Sequence, residues 1–261
     1  MFPLIIFMFL APFQLQSEIL VDGYAGKSIL ILTGQSNMAG RGGVANGTWD
    51  GYVPAECRPE PRILRLNPML RWEEAHEPLH GGIDPLNKTC GVGPGMPFAN
   101  RVLERDPCIG VIGLVPCAIG GTNITEWKRG SYHYNQLLKR ANVALQDGGQ
   151  IRAILWYQGE SDSLDIISAR MYKARLIEFF LDIRGDLACP ELPILQVALA
   201  SDAGPYSEVV RKAQLEIKLP NVTCIDAKGL EVMENNKPHL STSAQVQLGK
   251  MLANAFLHNG I

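Results

Sequence analysis

The sequence has little charge and no excess of either sign. Charged residues make up 19% of its 261 positions, and 24 Lys and Arg against 26 Asp and Glu leave a formal net charge of −2. That excludes the basic surplus a phosphate backbone demands, so no nucleic-acid partner is expected. The one apolar run long enough to mention lies at the N-terminus, which excludes a multi-spanning membrane protein. No C-x-x-C occurs among the six cysteines, which excludes a zinc ribbon or a thioredoxin-like motif. Only five histidines are present, so few side chains can act as a general base near neutral pH. There is no internal repeat and no linker. With 46% hydrophobic residues, the chain has the composition of one folded domain rather than a disordered or fibrous chain.

Residues 4–13 (L-I-I-F-M-F-L-A-P-F) have the length of a signal-peptide apolar region and are too short to span a membrane. Ser17 offers a small residue before a cut. We therefore expect a signal peptide over residues 1–17, a domain over residues 23–261 and no membrane span in the mature chain. Four Asn-x-Ser/Thr sites, at Asn46, Asn87, Asn123 and Asn221, and the even number of cysteines agree with a secreted or cell-wall glycoprotein. If the apolar run is not a leader, the protein is cytoplasmic. The pairing of the cysteines and the oligomeric state cannot be read from the sequence.

Short β-branched and Leu-rich runs read as strands buried on both faces: residues 27–33, 109–115, 151–156, 194–199 and 222–225, with a short one at 62–66. Helical spacing predicts helices over residues 97–105, 132–146, 169–187, 209–218 and 243–258. Residues 40–105 hold 10 Gly and 8 Pro and read as loop. Strands alternating with helices predict one α/β domain with a mainly parallel sheet covered on both faces. In such sheets ligands sit beyond the carboxyl ends of the strands. Three of those ends are rich in Gly and polar residues: T-G-Q-S-N-M-A-G-R-G-G (33–43), P-C-A-I-G-G-T-N-I-T-E-W (116–127) and W-Y-Q-G-E-S-D (156–162).

Ser36 follows the first of these strands, where its hydroxyl is either a nucleophile or a helix cap. A serine nucleophile needs a base, and His239, after the N-N-K-P turn and before the closing helix, is the histidine best placed to return to the rim. His133 reads as packing or capping, and His258 lies in the last turn of the chain. His76-Glu77-Pro78-Leu79-His80 matches the H-E-x-x-H zinc signature, but that motif works only on a helix and Pro78 breaks one. No metal is expected. Trp127 and Trp156 belong either to the core or to a sugar-binding rim.

Together, G-Q-S-N (34–37), C-G-V-G-P-G-M (90–96), W-Y-Q-G-E-S-D (156–162) and P-H-L-S-T (238–242) resemble SGNH-type hydrolases of the sialate O-acetylesterase-like family. That family includes plant carbohydrate esterases and acetylxylan esterases. The resemblance implies a flavodoxin-like three-layer α/β/α sandwich and a serine esterase that removes O-acetyl groups from a carbohydrate, with no cofactor. It implies Ser36 as nucleophile, His239 as base, and an oxyanion hole from the Ser36 N–H, a backbone N–H of Gly93 or Gly95, and the Gln158 amide. Where the family carries Asp three residues before the histidine, this chain has Asn236. Glu160 is our expected replacement carboxylate, with Glu234, Asp162 and Asp226 as alternatives. A catalytically weakened carbohydrate-binding homologue is the alternative function. Which acetylated sugar is recognised is not legible.

Overall fold

The structure, a computed structural model, describes residues 26–85, 87–200 and 203–260. The expected signal peptide lies outside them. In chain order the elements are β1 (Ser28–Gly34), α1 (Ser36–Ala39), β2 (Val44–Ala45), β3 (Thr48–Trp49), β4 (Ile63–Leu66), β5 (Trp72–Glu74), α2 (Gly95–Arg105), β6 (Ile112–Pro116), α3 (Tyr132–Gln146), β7 (Gln150–Tyr157), α4 (Ile166–Asp186), β8 (Ile194–Ala198), α5 (Ser207–Leu215), β9 (Val222–Asp226) and α6 (Thr242–His258).

Seven strands form one sheet in the order β5-β4-β6-β1-β7-β8-β9, parallel throughout except for β5, which runs antiparallel to β4 at one edge. The expected α/β/α sandwich is the fold observed. The strands lack alternation because both faces are covered: β1 and β6 are buried at every residue. Helices α2 and α6 pack together, with Phe98 edge-on to Phe256 at 5.6 Å. In the second group, Phe179 of α4 meets Tyr134 of α3 at 6.1 Å and Trp156 of β7 at 4.6 Å, and α5 packs on α4. Trp127 and Trp156 are both fully buried and meet edge to face at 5.5 Å. They are core, and the sugar-rim alternative fails for both.

This topology sets the site. β1 lies between β6 and β7, so the loops following these three strands emerge side by side. At Gly34 the backbones of β1 and β7 approach so closely that a Cβ would lie 2.1 Å from the Tyr157 carbonyl oxygen. With φ of +126°, this position suits only glycine. The close approach lets the Gln35 N–H donate to Tyr157 O at 2.8 Å, and Ser36 then opens α1.

Candidate active site

Ser36 begins a one-turn helix, so its N–H is one of the donors that a helix start leaves without an intrahelical partner. Across the cavity, residues 233–239 close a loop on themselves: Met233 N–H donates to His239 O at 2.8 Å and His239 N–H to Asn236 O at 3.0 Å. This loop delivers the imidazole. His239 Nε2 lies 2.9 Å from Ser36 Oγ, although the two residues are 203 positions apart.

The other imidazole nitrogen, Nδ1, lies 3.0 Å from Asn236 Oδ1. The Asn236 amide is not free to turn, because its Nδ2 donates to the Val44 carbonyl at 2.9 Å. The amide therefore presents oxygen to the ring, and Nδ1 must carry the proton. Nε2 is left as an acceptor facing the serine hydroxyl. The position at which the sequence appeared to lack an orienting group thus holds one, with hydrogen-bonding capacity but no charge.

Glu160 lines the same cavity as His239 but makes no hydrogen bond to its ring. Its Oε1 instead accepts from Asn37 Nδ2 at 2.7 Å. Burial raises its carboxyl to about 7, against the lowering effect of the Asn37 bond. The alternatives are displaced too. Asp162 accepts from Gln158 and the Ile124 N–H, at 2.7 and 2.9 Å, Asp226 pairs with Arg211, and Glu234 begins a short turn on the His239 loop. The side chain that meets the His239 Nδ1–H in the structure is Asn236, three residues before it, whose amide oxygen accepts that N–H.

Of the oxyanion donors expected from sequence, all but the Ser36 N–H lie off the cavity at Ser36. The Gly93 N–H donates to Glu77 Oε1 at 3.2 Å. Gly95 faces the core, where a Cβ would meet Leu32 and Leu79 at 2.5 Å. Gln158 is fully buried, and its Nε2 donates to Thr122 O and Asp162 Oδ2 at 2.9 and 2.7 Å. None of these three lines the cavity at Ser36. The Ser36 N–H remains, and the loop after β6 supplies Gly120 and Gly121 at the cavity wall. Among the described residues, the N–H groups of Ser36 and Gly121 have no protein acceptor. Gly121 has φ of +75°, and a Cβ there would approach only Lys88 Nζ, at 3.4 Å.

The cavity measures about 380 Å³. Its floor is braced by Arg41, 5% exposed, which donates to Gly40 O at 2.8 Å and pairs with the buried Asp84. Asp84 also accepts the Gly120 N–H at 2.9 Å, so the ion pair fixes the loop that carries Gly121. Lys88 Nζ bonds the Gly120 carbonyl. The lining also includes the apolar Val44, Leu164 and Pro238. Burial and the nearby Arg41 charge lower His239 to about 4, so the ring is neutral at physiological pH.

The H-E-x-x-H segment is not helical. His76 is exposed, whereas His80 is wholly buried with neither ring nitrogen hydrogen-bonded. Among the described residues, no group of three or more His, Cys, Asp or Glu side chains could hold a metal ion. His133 stacks on Trp127 at 5.5 Å, and all six cysteines are free thiols.

Comparison with known proteins agrees with this geometry. The family described as carbohydrate esterase, sialic acid-specific acetylesterase, matches residues 26–258. A probable carbohydrate esterase of Arabidopsis thaliana is 55% identical over 240 residues, which cover 88% of this chain and 90% of that one. An Arabidopsis thaliana X-ray structure superposes with a TM-score of 0.86 at 53% identity, covering 90% of this chain and 99% of that one. The crystal structure of NanS shares the fold at a TM-score of 0.70 and 17% identity, over 90% and 98% of the two chains. A serine and a histidine joined at one rim of a parallel sheet, in a chain matched from β1 to α6, leave one assignment: the protein belongs to the carbohydrate esterase family of the sialic acid-specific acetylesterase type.

Proposed function

We propose that the protein is a serine esterase that removes O-acetyl groups from a carbohydrate through an acetyl-enzyme. The observation that carries this reading is the chain Ser36 Oγ–His239–Asn236, with contacts of 2.9 and 3.0 Å and the amide held by Val44. Ser36 Oγ attacks the acetyl carbonyl carbon while its proton passes to His239 Nε2. The oxyanion that forms is met by the Ser36 and Gly121 N–H groups. Its collapse breaks the ester C–O bond, and the departing sugar oxygen takes the proton from Nε2. Water then attacks acetyl-Ser36, again giving a proton to His239, and acetate leaves with Ser36 restored.

Asn236 keeps the imidazole in the productive tautomer but supplies no negative charge to the imidazolium formed in each transition state. We therefore read the enzyme as slower than a carboxylate-supported homologue. That same feature favours the second reading, a carbohydrate binder with lapsed catalysis. Hydrolysis of p-nitrophenyl acetate by purified protein, its loss in Ser36→Ala, and labelling of Ser36 by a fluorophosphonate support the esterase. Glycan affinity with none of these supports the binder. We also read the protein as secreted and N-glycosylated, on the apolar leader and the four acceptor sites.

A further inference from the structure

We propose that Asn37 is a positioning residue that sets the distance between Ser36 and His239, with Glu160 as its anchor. The proposal rests on the reading of Ser36 and His239 as nucleophile and base. Asn37 follows the nucleophile directly and is fully buried. Its side-chain amide is engaged at both ends. Nδ2 donates to Pro238 O at 3.1 Å and to Glu160 Oε1 at 2.7 Å. Oδ1 accepts from the Leu240 N–H at 2.9 Å. Its main-chain carbonyl accepts from Gln245 Nε2 of α6 at 3.1 Å.

Pro238 and Leu240 bracket His239. One side chain, adjacent to the nucleophile, therefore grips the backbone on both sides of the base. The His239 loop otherwise bonds mainly within itself, and Asn236 ties it to Val44 rather than to the serine turn. Only an amide of this length offers an acceptor to the Leu240 N–H and a donor to the Pro238 carbonyl together. A carboxylate has no donor, and an alkyl group has neither.

Glu160 acquires a role here that the triad does not give it. It has no ion-pair partner among the described residues, and Oε1 receives the Asn37 N–H. It comes from the loop after β7, so it fixes Asn37 against a third element of the rim. With its nitrogen turned toward them, the Gln35 amide donates to Glu160 Oε2 at 3.3 Å and to Thr122 O at 3.0 Å. The residues on either side of Ser36 then converge on one buried carboxyl group. A substitution there acts on Ser36 and His239 through Asn37.

The test uses the full-length secreted protein and p-nitrophenyl acetate, with active sites counted by fluorophosphonate labelling taken to completion. Asn37→Asp keeps the shape and removes the donor. We expect kcat per labelled site to fall about 10²-fold, as misplacement of catalytic groups by an ångström does, with KM nearly unchanged. The labelling rate should fall in parallel while the final labelled fraction stays that of wild type. A packing role alone would lower the melting temperature and the labelled fraction but leave the rate per site alone. Glu160→Gln retains an oxygen for Asn37 and should keep most of the rate, whereas Glu160→Ala should lose it. If Asn37→Asp does not fold, the Glu160 pair decides. Wild-type turnover per site in Asn37→Asp or Glu160→Ala, or equal impairment of both Glu160 variants, overturns the proposal. An inactive Ser36→Ala beside such a result leaves the nucleophile reading intact, while an active Ser36→Ala overturns both.

Discussion

Asn236 holds the His239 ring through its amide oxygen, 3.0 Å from Nδ1, while its amide nitrogen is fixed on the Val44 carbonyl at 2.9 Å. An unconstrained asparagine could present either end to the ring. Presenting nitrogen would reverse the tautomer and leave Nε2 protonated against Ser36, which is the penalty seen when a serine protease carries asparagine in place of its acid. The Val44 contact removes that choice. What remains missing is charge.

The missing charge should appear in the pH profile. Burial and Arg41 both disfavour the imidazolium, so His239 sits at about 4 and is neutral above that pH. The acid limb of kcat/KM should therefore lie near pH 4 rather than near the usual histidine value. Asn236→Asp restores a carboxylate that favours the cation, so the limb should move to higher pH and kcat should rise by roughly tenfold or more. Asn236→Ala should lower kcat by about 10²-fold. A limb that stays fixed in Asn236→Asp would show that another group titrates.

Glu160 gives a second, independent pH dependence. Its carboxyl is raised to about 7 in the fold, against 4.5 ordinarily. Between those values the folded state holds a proton that the unfolded chain has released, so stability declines as pH rises through this window. Above pH 7 the buried carboxylate costs a few kcal/mol. Glu160→Gln removes that cost. Its melting temperature should exceed wild type by more at pH 8 than at pH 5, as read by calorimetry. Equal shifts at both pH values would mean the carboxyl is not protonated in the fold.

Gly34 should tolerate no side chain. A Cβ 2.1 Å from Tyr157 O must push β1 away from β7, in the middle of the sheet. We expect Gly34→Ala to cost about 4 kcal/mol or more, enough to leave little folded protein. Gly47→Ala is the control: its φ is +74° but a Cβ would meet open space. That change should cost only about 1–2 kcal/mol. Urea titrations of the two variants give the comparison, and a soluble Gly34→Ala with wild-type stability would contradict the close approach.

Expression through a eukaryotic secretory pathway should yield glycans at Asn46, Asn87 and Asn221, which are exposed. Asn123 should be unmodified. It is half-buried, and its side chain caps a short turn by accepting the Thr125 N–H at 3.0 Å. Peptide mass mapping after glycosidase treatment reads each position separately. An intact leader on an unglycosylated chain would remove the secretion reading.

Much of the scaffold was legible because its elements carry strong periods. The helix expected over residues 132–146 is α3 residue for residue, and every expected strand has a counterpart. The losses lie in residues 40–105. There β5 is three residues long on an edge, and β2 and β3 pair over two residues each, too short for any pattern. In the site, the pairing of Ser36 with His239 followed from topology, since both had to reach one rim. The surroundings of Gln158 and Glu160 were not legible, because they depend on where side chains point. Gln158 turns inward because Asp162, the last residue of W-Y-Q-G-E-S-D, and the distant Thr122 O lie there, and the spacing within that block does not fix the direction. Asn236 was in view at the right spacing. The signal overlooked was chemical, since an amide oxygen accepts a ring N–H as a carboxylate oxygen does.

The 203 residues between Ser36 and His239 have a consequence for the life of the chain. The polypeptide is made from its N-terminus, and the serine turn emerges with β1, the first strand of the sheet. At that stage the hydroxyl has no base, and Asn37 has neither Pro238 nor Leu240 to hold. Hydrolytic power therefore cannot arrive before the loop ahead of α6 has been made and has reached the rim. A growing chain carries an inert serine, and a translation product that stops before residue 230 lacks the base and with it the means to attack an ester.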